Sequence, residues 1–397
     1  MRKPFKIMII AAVAALLLTS GIHLLALPTS ASGANFVFSA AGDFGSWSGF
    51  AESLTLLQGS GSDFAIALGD LSYGGFAVAG LGTEQGWCQA FHAAFPNIAI
   101  VAGNHDTGDT LPGDGDINLF RQYCPFPLDS VVIGDYAKQY YFDYPQVNPM
   151  ARFILLSPDL VYRVDGGEHY LYDVGTTRYN WTRDAIDAAR AAGIPWVIVG
   201  MHKNCIGAGE HVCETGPDIL NLLLDRKVDL ILNAHTHNYE RSKQLALNGD
   251  TCTALQLHIF NGNCIVDDGA DGAYKRGAGS VVVIAGTGGR DIDTFNVGDP
   301  YAHYFAAWKG NETPGAGKGV VTFTVDANHI SMVTNFNGTY SDAFSITQTG
   351  EALGSPNLAQ AIPFAVPILA AAVVLGVGGV LVWRKRRESK KSRDPEQ

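Results

Sequence analysis

The stretch "NIAIVAGNHD", Asn97 to Asp106, runs from an apolar segment into a turn that carries a carboxamide, an imidazole and a carboxylate. Gly, Asn and Asp favour tight turns for local reasons, yet loops held by a rigid sheet are also where reacting groups are placed. The rest of the chain decides between the two. From Asn35 to about Gln348 the same design recurs. "FVFSAAGD", "DFAIALGD", "RFILLSPD", "PWVIVGMH", "VDLILNAH" and "SVVVIAGTGG" are short apolar runs, most of them ending in Gly, Asp, Asn or His. Runs of this length read as strands buried on both faces. Between several of them lie helical patterns such as "TRDAIDAARAAG" and "GPDILNLLLDRK", each with an early acidic residue and a stop at Gly or at basic residues. Alternating strands and helices predict a layered α/β fold with sheets inside and helices outside. "GVVTFTVDANHISMVTNFNGTYSDAFSITQ" alternates in the manner of hairpin strands, so the second half of the core is expected to be partly antiparallel.

The two ends differ from this middle. Residues 1–34 begin with Arg2, Lys3 and Lys6, continue through "IMIIAAVAALLL" and reach the small residues Ser32 and Ala34, the pattern of a secretory signal. An uncleaved anchor is the alternative. "AIPFAVPILAAAVVLGVGGVLVW", residues 361–383, has no charge, and "RKRR" follows it at once. That predicts one C-terminal transmembrane helix with its basic tail, residues 384–397, on the cytoplasmic side. Residues 35–348 then form one catalytic domain on the outer side of the membrane, and 349–360 a short stalk.

The chain holds 27 basic and 38 acidic side chains, and the two ends carry ten of the basic ones against three of the acidic. The exported part is therefore strongly acidic, which disfavours binding to nucleic acid. An anionic substrate would need a local positive centre such as a metal. All six cysteines lie in the exported part, where disulfides form. Of the fifteen possible pairings, proximity suggests Cys205 with Cys213 and Cys252 with Cys264, leaving Cys88 with Cys124. A zinc cluster is the rival, but no CxxC spacing is present.

The strand ends deliver Asp43 in "GDFG", Asp70 and Tyr73 in "GDLSY", Asn104 and His105 in "GNHD", His202 in "VGMH", and His235 and His237 in "AHTH". Each alone is a turn residue or an ordinary histidine. Together they place carboxylate, amide, phenol and imidazole donors where open α/β sheets gather their ligands. That donor set suits two hard-to-borderline cations sharing a carboxylate, able to clamp a phosphate ester and supply hydroxide for in-line attack. Asp106 reads as fixing the turn. "IAGTGGRD" reads as a structural turn beside the site, "DGDIN" and "DDGADG" as solvated acidic loops, and Asn180, Asn311 and Asn337 as glycosylation sequons in a host that glycosylates exported proteins.

These blocks, in this order from about Asp43 to Gly289, resemble the compact, mammalian-type purple acid phosphatases of the calcineurin-like metallophosphoesterase superfamily. The resemblance implies a four-layer α-β-β-α sandwich of mixed sheets. It implies a ferric ion held by Asp43, Asp70, Tyr73 and His237, and a divalent ion (Fe, Zn or Mn) held by Asp70, Asn104, His202 and His235. It further implies His105 and His211 as substrate-contacting, catalytic histidines, although His211 also reads as a surface residue in a disulfide loop. Most phosphodiesterases of the superfamily carry Asp-x-His in the first block; here the block is Asp43-Phe44-Gly45, and Tyr73 follows Asp70 instead. Ala234 stands where the family has Gly. The implied activity is hydrolysis of small phosphate monoesters at mildly acidic pH. A phosphodiesterase or nucleotidase on the same scaffold, or a non-catalytic binding ectodomain, are the alternatives.

Overall fold

The computed structural model describes residues 35–45, 48–74, 81–108, 114–211 and 213–351. The expected signal, transmembrane helix and basic tail lie outside these residues, as does all but the start of the stalk. Among the described residues no helix is long and apolar enough to cross a membrane.

Two mixed sheets form the centre. The seven-stranded sheet runs in the order Ala273–Lys275, Ala343–Thr347, His329–Phe336, Gly319–Val325, Phe36–Ala41, Phe64–Leu68, Ile98–Val101. The last three are parallel to one another, whereas Phe36–Ala41 meets Gly319–Val325 antiparallel. The eight-stranded sheet runs Phe305–Lys309, Tyr239–Ser242, Val281–Ala285, Leu230–Asn233, Trp196–Met201, Ala151–Leu156, Gln139–Tyr144, Ile133–Asp135. Its four middle strands, Val281–Ala285 through Ala151–Leu156, are parallel. The seven apolar runs are all strands, and their near-total burial is what parallel strands covered on both faces require. The expected antiparallel end is the meander of Gly319–Val325, His329–Phe336 and Ala343–Thr347.

The sheets face each other across an apolar core in which Phe38, Phe64 and Phe323 of one sheet meet Phe153 of the other. Phe153 packs edge-on to Phe38 at 5.0 Å and to Phe64 at 5.4 Å, a favoured aromatic geometry. Helix Ser48–Gly59 covers the outer face of the first sheet. Helix Thr177–Ala191 covers the second, against Ala151–Leu156 and Trp196–Met201. This is the helix-sheet-sheet-helix layering expected. The second helix starts five residues before its apolar pattern does, because Thr176 caps it by accepting from the Tyr179 amide at 3.3 Å. All three disulfides pair as proximity suggested: Cys88–Cys124, Cys205–Cys213 and Cys252–Cys264. The first clamps helix Glu84–Ala94 to Ile117–Tyr123.

Candidate metal centre

Parallel strands in both sheets end at one place. Phe36–Ala41, Phe64–Leu68 and Ile98–Val101 lead into Asp43, Asp70 and Asn104, while Trp196–Met201 and Leu230–Asn233 lead into His202 and His235. Four of the seven candidate ligands hold a left-handed backbone: Asp43 at φ 58°, Asp70 at 52°, Tyr73 at 53° and His235 at 70°. For residues with a Cβ this conformation costs about 1–2 kcal/mol each, and its clustering in one site is the mark of a functional constraint rather than of ordinary turns. The loops approach so closely that a Cβ on Gly103 would lie 2.1 Å from Asp70 Oδ1. A Cβ on Gly42 would lie 2.4 Å from the Ala234 methyl, so glycine at 42 is what accommodates alanine at 234.

The donors fall into two groups. In the first, the Tyr73 hydroxyl donates to Asp43 Oδ1 at 3.0 Å and lies 3.2 Å from His237 Nε2, which is itself 3.4 Å from Asp43 Oδ1. In the second, His202 Nε2 is 3.0 Å from Asn104 Oδ1 and 3.2 Å from Asp70 Oδ1. Ligand atoms of Asp70, His202 and His235 all lie within 4.8 Å of one another. Asp70 also interacts with Tyr73, so it stands between the two groups. The structure thus brings together all seven candidate ligands. His105 and His211 sit at the rim, each with a side chain 31% exposed, whereas Asp43 and His202 are fully buried. His105 lies 4.5 Å from Tyr73 ring to ring, and His211 stacks on His235 at 3.7 Å.

A further layer of polar groups fixes these side chains. His202 Nδ1 lies 2.8 Å from the Leu68 carbonyl, so Nδ1–H donates there and Nε2 is left to face Asp70 and Asn104. Asp106 accepts from the amides of Asp70 at 2.7 Å, Gly103 at 2.8 Å and Leu71 at 3.0 Å, tying the second and third strand-end loops together. That is the turn-fixing role expected of it. The "IAGTGG" segment is structural as expected: its Gly288 amide donates to the Gly42 carbonyl at 2.9 Å and the Arg290 amide to the Asp43 carbonyl at 3.0 Å.

Two acidic residues outside the strand-end blocks take part as well. Asp114, expected in a solvated loop, is 3% exposed at its side chain and holds His105 Nδ1 at 2.7 Å. Glu214 reaches His235 Nε2 at 3.3 Å, His211 Nδ1 at 3.7 Å and Lys203 Nζ at 2.6 Å. Neither spacing is one that a motif search would mark.

The field within the site favours a bound cation. Burial alone would raise the Asp43 and Asp70 carboxyls, but the imidazoles beside them (His237 and His202 for Asp43, His202 foremost for Asp70) hold both below the usual carboxylate range. Burial pulls His202 down, yet Asp70 and Asp43 more than offset it and push it up to about 9. His235 is pulled down to about 4 by burial, so its ring is neutral and offers a lone pair. Burial, with Asp43 and Asp70 alongside, lifts the Tyr73 phenol well above its usual value. Ionised carboxylates and a neutral imidazole are ligand-ready states, and a metal would displace the His202 proton. The residues present therefore fit a dinuclear metal group in donor type and proximity.

The sequence signature of the family described as calcineurin-like phosphoesterase matches residues 17–239, more than half of the chain. The chain belongs to that family. The chain is 29% identical over 206 residues to an uncharacterized protein of Mycobacterium tuberculosis, covering 49% of this chain and 38% of that one. It is 22% identical over 240 residues to purple acid phosphatase 21 of Arabidopsis thaliana, covering 57% of this chain and 49% of the relative. The structure of a purple acid phosphatase from yellow lupin (Lupinus luteus) seeds superposes with a TM-score of 0.56 at 17% identity, over 79% of this chain and 54% of that one. That likeness shows a shared fold. The chain spans less than half the length of these two curated relatives.

Proposed function

We propose that this phosphoesterase is a dinuclear-metal acid phosphatase of the purple acid phosphatase type, hydrolysing phosphate monoesters outside the cytoplasm. The observation that carries the reading is Tyr73, whose hydroxyl lies 3.0 Å from Asp43 Oδ1 and 3.2 Å from His237 Nε2. A phenol at that point, and no first-block histidine, favours a ferric ion with Asp43, Asp70, Tyr73 and His237. Asp70, Asn104, His202 and His235 would hold the divalent Fe, Zn or Mn ion. Bound there, the two cations would polarise the phosphate ester and lower the pKa of the attacking water. Asn104 would contribute its amide oxygen without adding charge. His105, oriented through Nδ1 by Asp114, and His211, stacked on His235, stand at the rim where a departing alkoxide takes up a proton.

Three disulfides accord with an oxidising, extracellular or secretory compartment. The charge-free stretch 361–383 followed by "RKRR" supports a single membrane anchor.

The test is spectroscopic. Oxidised, iron-replete protein should be coloured by phenolate-to-iron charge transfer, and Tyr73→Phe should remove the visible band while leaving circular dichroism unchanged. A colourless iron-replete wild type, or a band that survives in the variant, refutes the assignment of Tyr73. Comparing aryl phosphate monoesters with the matching diesters separates this reading from a phosphodiesterase, which would favour the diester.

A further inference from the structure

The turn "GTGGRD", residues 286–291, does more than brace the first strand-end loop. Gly288 and Gly289 lie flat against that loop, where a Cβ on the first would collide with the Gly42 carbonyl and one on the second with the Phe44 carbonyl. Glycine alone permits this approach. Because the amides of Gly288 and Arg290 donate to the carbonyls of Gly42 and Asp43 at 2.9 and 3.0 Å, the backbone of residue 290 is pinned beside that of Asp43. The Arg290 side chain therefore starts from a fixed point. It lays its guanidinium over the ring of Tyr73, with Cζ 4.8 Å from the ring centroid, within the range of a cation–π contact. His105 packs on the same ring at 4.5 Å.

The charges around Tyr73 give this contact a consequence. The ring is buried, its hydroxyl lies 3.0 Å from Asp43 Oδ1, and Asp70 is close enough to act on it as well. A phenolate bound there would bring one more negative charge to a corner that already holds two carboxylates. Much of a phenolate's charge spreads into its ring, so a cation on the ring face meets it directly, and a planar guanidinium is the side chain shaped to lie there. Arg290 is only partly exposed, so water does not fully screen the contact. A cation at this place lowers the energy of the ring electrons. The phenolate then shares fewer of them with a metal.

We infer that Arg290 is a positioning residue that acts on the metal centre through Tyr73, its guanidinium weakening the phenolate as an electron donor so that the ferric position stays more electron-poor. The inference rests on the reading of Tyr73 as a ferric ligand proposed above. Bracing the loop uses only the amide of residue 290 and would accept any residue but proline there; the guanidinium adds the electronic effect. A more electron-poor cation polarises a bound phosphate ester more strongly.

The experiment uses the full chain, oxidised and iron-replete, as wild type, Arg290→Gln and Arg290→Lys. In Arg290→Gln the phenolate-to-iron band should move to longer wavelength, because the ring electrons lie higher without the cation, and the ferric/ferrous reduction potential should fall in a dye-coupled titration. Turnover of p-nitrophenyl phosphate should drop about fivefold in kcat, which is what a contact of this kind is worth. Arg290→Lys, which returns a cation, should move band, potential and kcat back toward wild type. Band position does not depend on how much iron is bound, so partial loading cannot imitate the shift. A coloured Arg290→Gln protein with the wild-type band and potential overturns the role of Arg290 and leaves the phosphatase reading standing. A lysine variant that matches the glutamine variant in both does the same, since charge is then not what acts. A colourless iron-replete wild type overturns both.

Discussion

Glu240 offers a test of the fold that is independent of any metal. It lies in strand Tyr239–Ser242, fully buried, and its carboxyl accepts from the Ala208 amide at 3.0 Å and from Asn238 Nδ2 at 2.9 Å. Burial pushes it up from 4.5 to about 8, against the pull of those two donors and with the help of Asp299. Below pH 4.5 both the folded and the unfolded chain keep this proton. Between 4.5 and about 8 only the folded chain keeps it, so this residue's contribution to stability falls as pH rises through that window and is flat above it. At about 1.4 kcal/mol for each tenfold in proton affinity, the shift sets an upper bound of about 5 kcal/mol on the loss. Glu240→Gln keeps the shape and removes the titration. Urea unfolding of wild type and variant from pH 5 to 8.5 isolates the effect, because every other group titrates equally in both. The variant should gain on wild type steadily as pH rises, then level off above about 8. A difference that stays flat across the range, or that shrinks with pH, refutes the reasoning and means Glu240 is ionised in the fold.

Two further changes probe the loops that carry the centre. Gly103→Ala places a methyl 2.1 Å from Asp70 Oδ1 and 2.3 Å from the Asp70 amide, so the purified variant should bind less than the full complement of metal by elemental analysis; wild-type metal content would show that the loops yield. Replacing Cys205 and Cys213 together by serine opens a loop whose ends are eight residues apart, which should lower stability by about 2–3 kcal/mol on the loop-entropy account and reduce activity through His211. Unchanged activity in that double variant would remove His211 from the reaction.

The layered α/β class, the antiparallel second half and the strands themselves were legible because their signal is local. A run such as "VVVIA" is buried whatever surrounds it, and a strand leading into Asp or His names its own end. The candidate ligands were legible for a related reason: five strand-end blocks occur in one order, and the sheet order brings the ends together. Asp114 and Glu214 were not. Each acts on a histidine that another segment presents, Asp114 on His105 and Glu214 on His235, and those distances are set by how loops pack rather than by any spacing along the chain.

The left-handed backbones at Asp43, Asp70, Tyr73 and His235 combine turn chemistry with site chemistry. A strand that ends in a tight reversal needs residues tolerant of positive φ, and Gly, Asn and Asp meet that need at low cost. Tyr73 and His235 do not: neither is a turn former, yet both accept the same conformation. Local chemistry would place glycine or asparagine there. What holds a phenol and an imidazole in that geometry is the surrounding network: Tyr73 is fixed by Asp43, and the His235 amide donates to Asp43 Oδ2 at 2.9 Å. One buried carboxylate thus orders two strained donors from opposite sheets, so the strain at both is supported by the same side chain. That coupling makes the centre a single unit, and it predicts that loss of the Asp43 side chain would disturb both ligand groups rather than one.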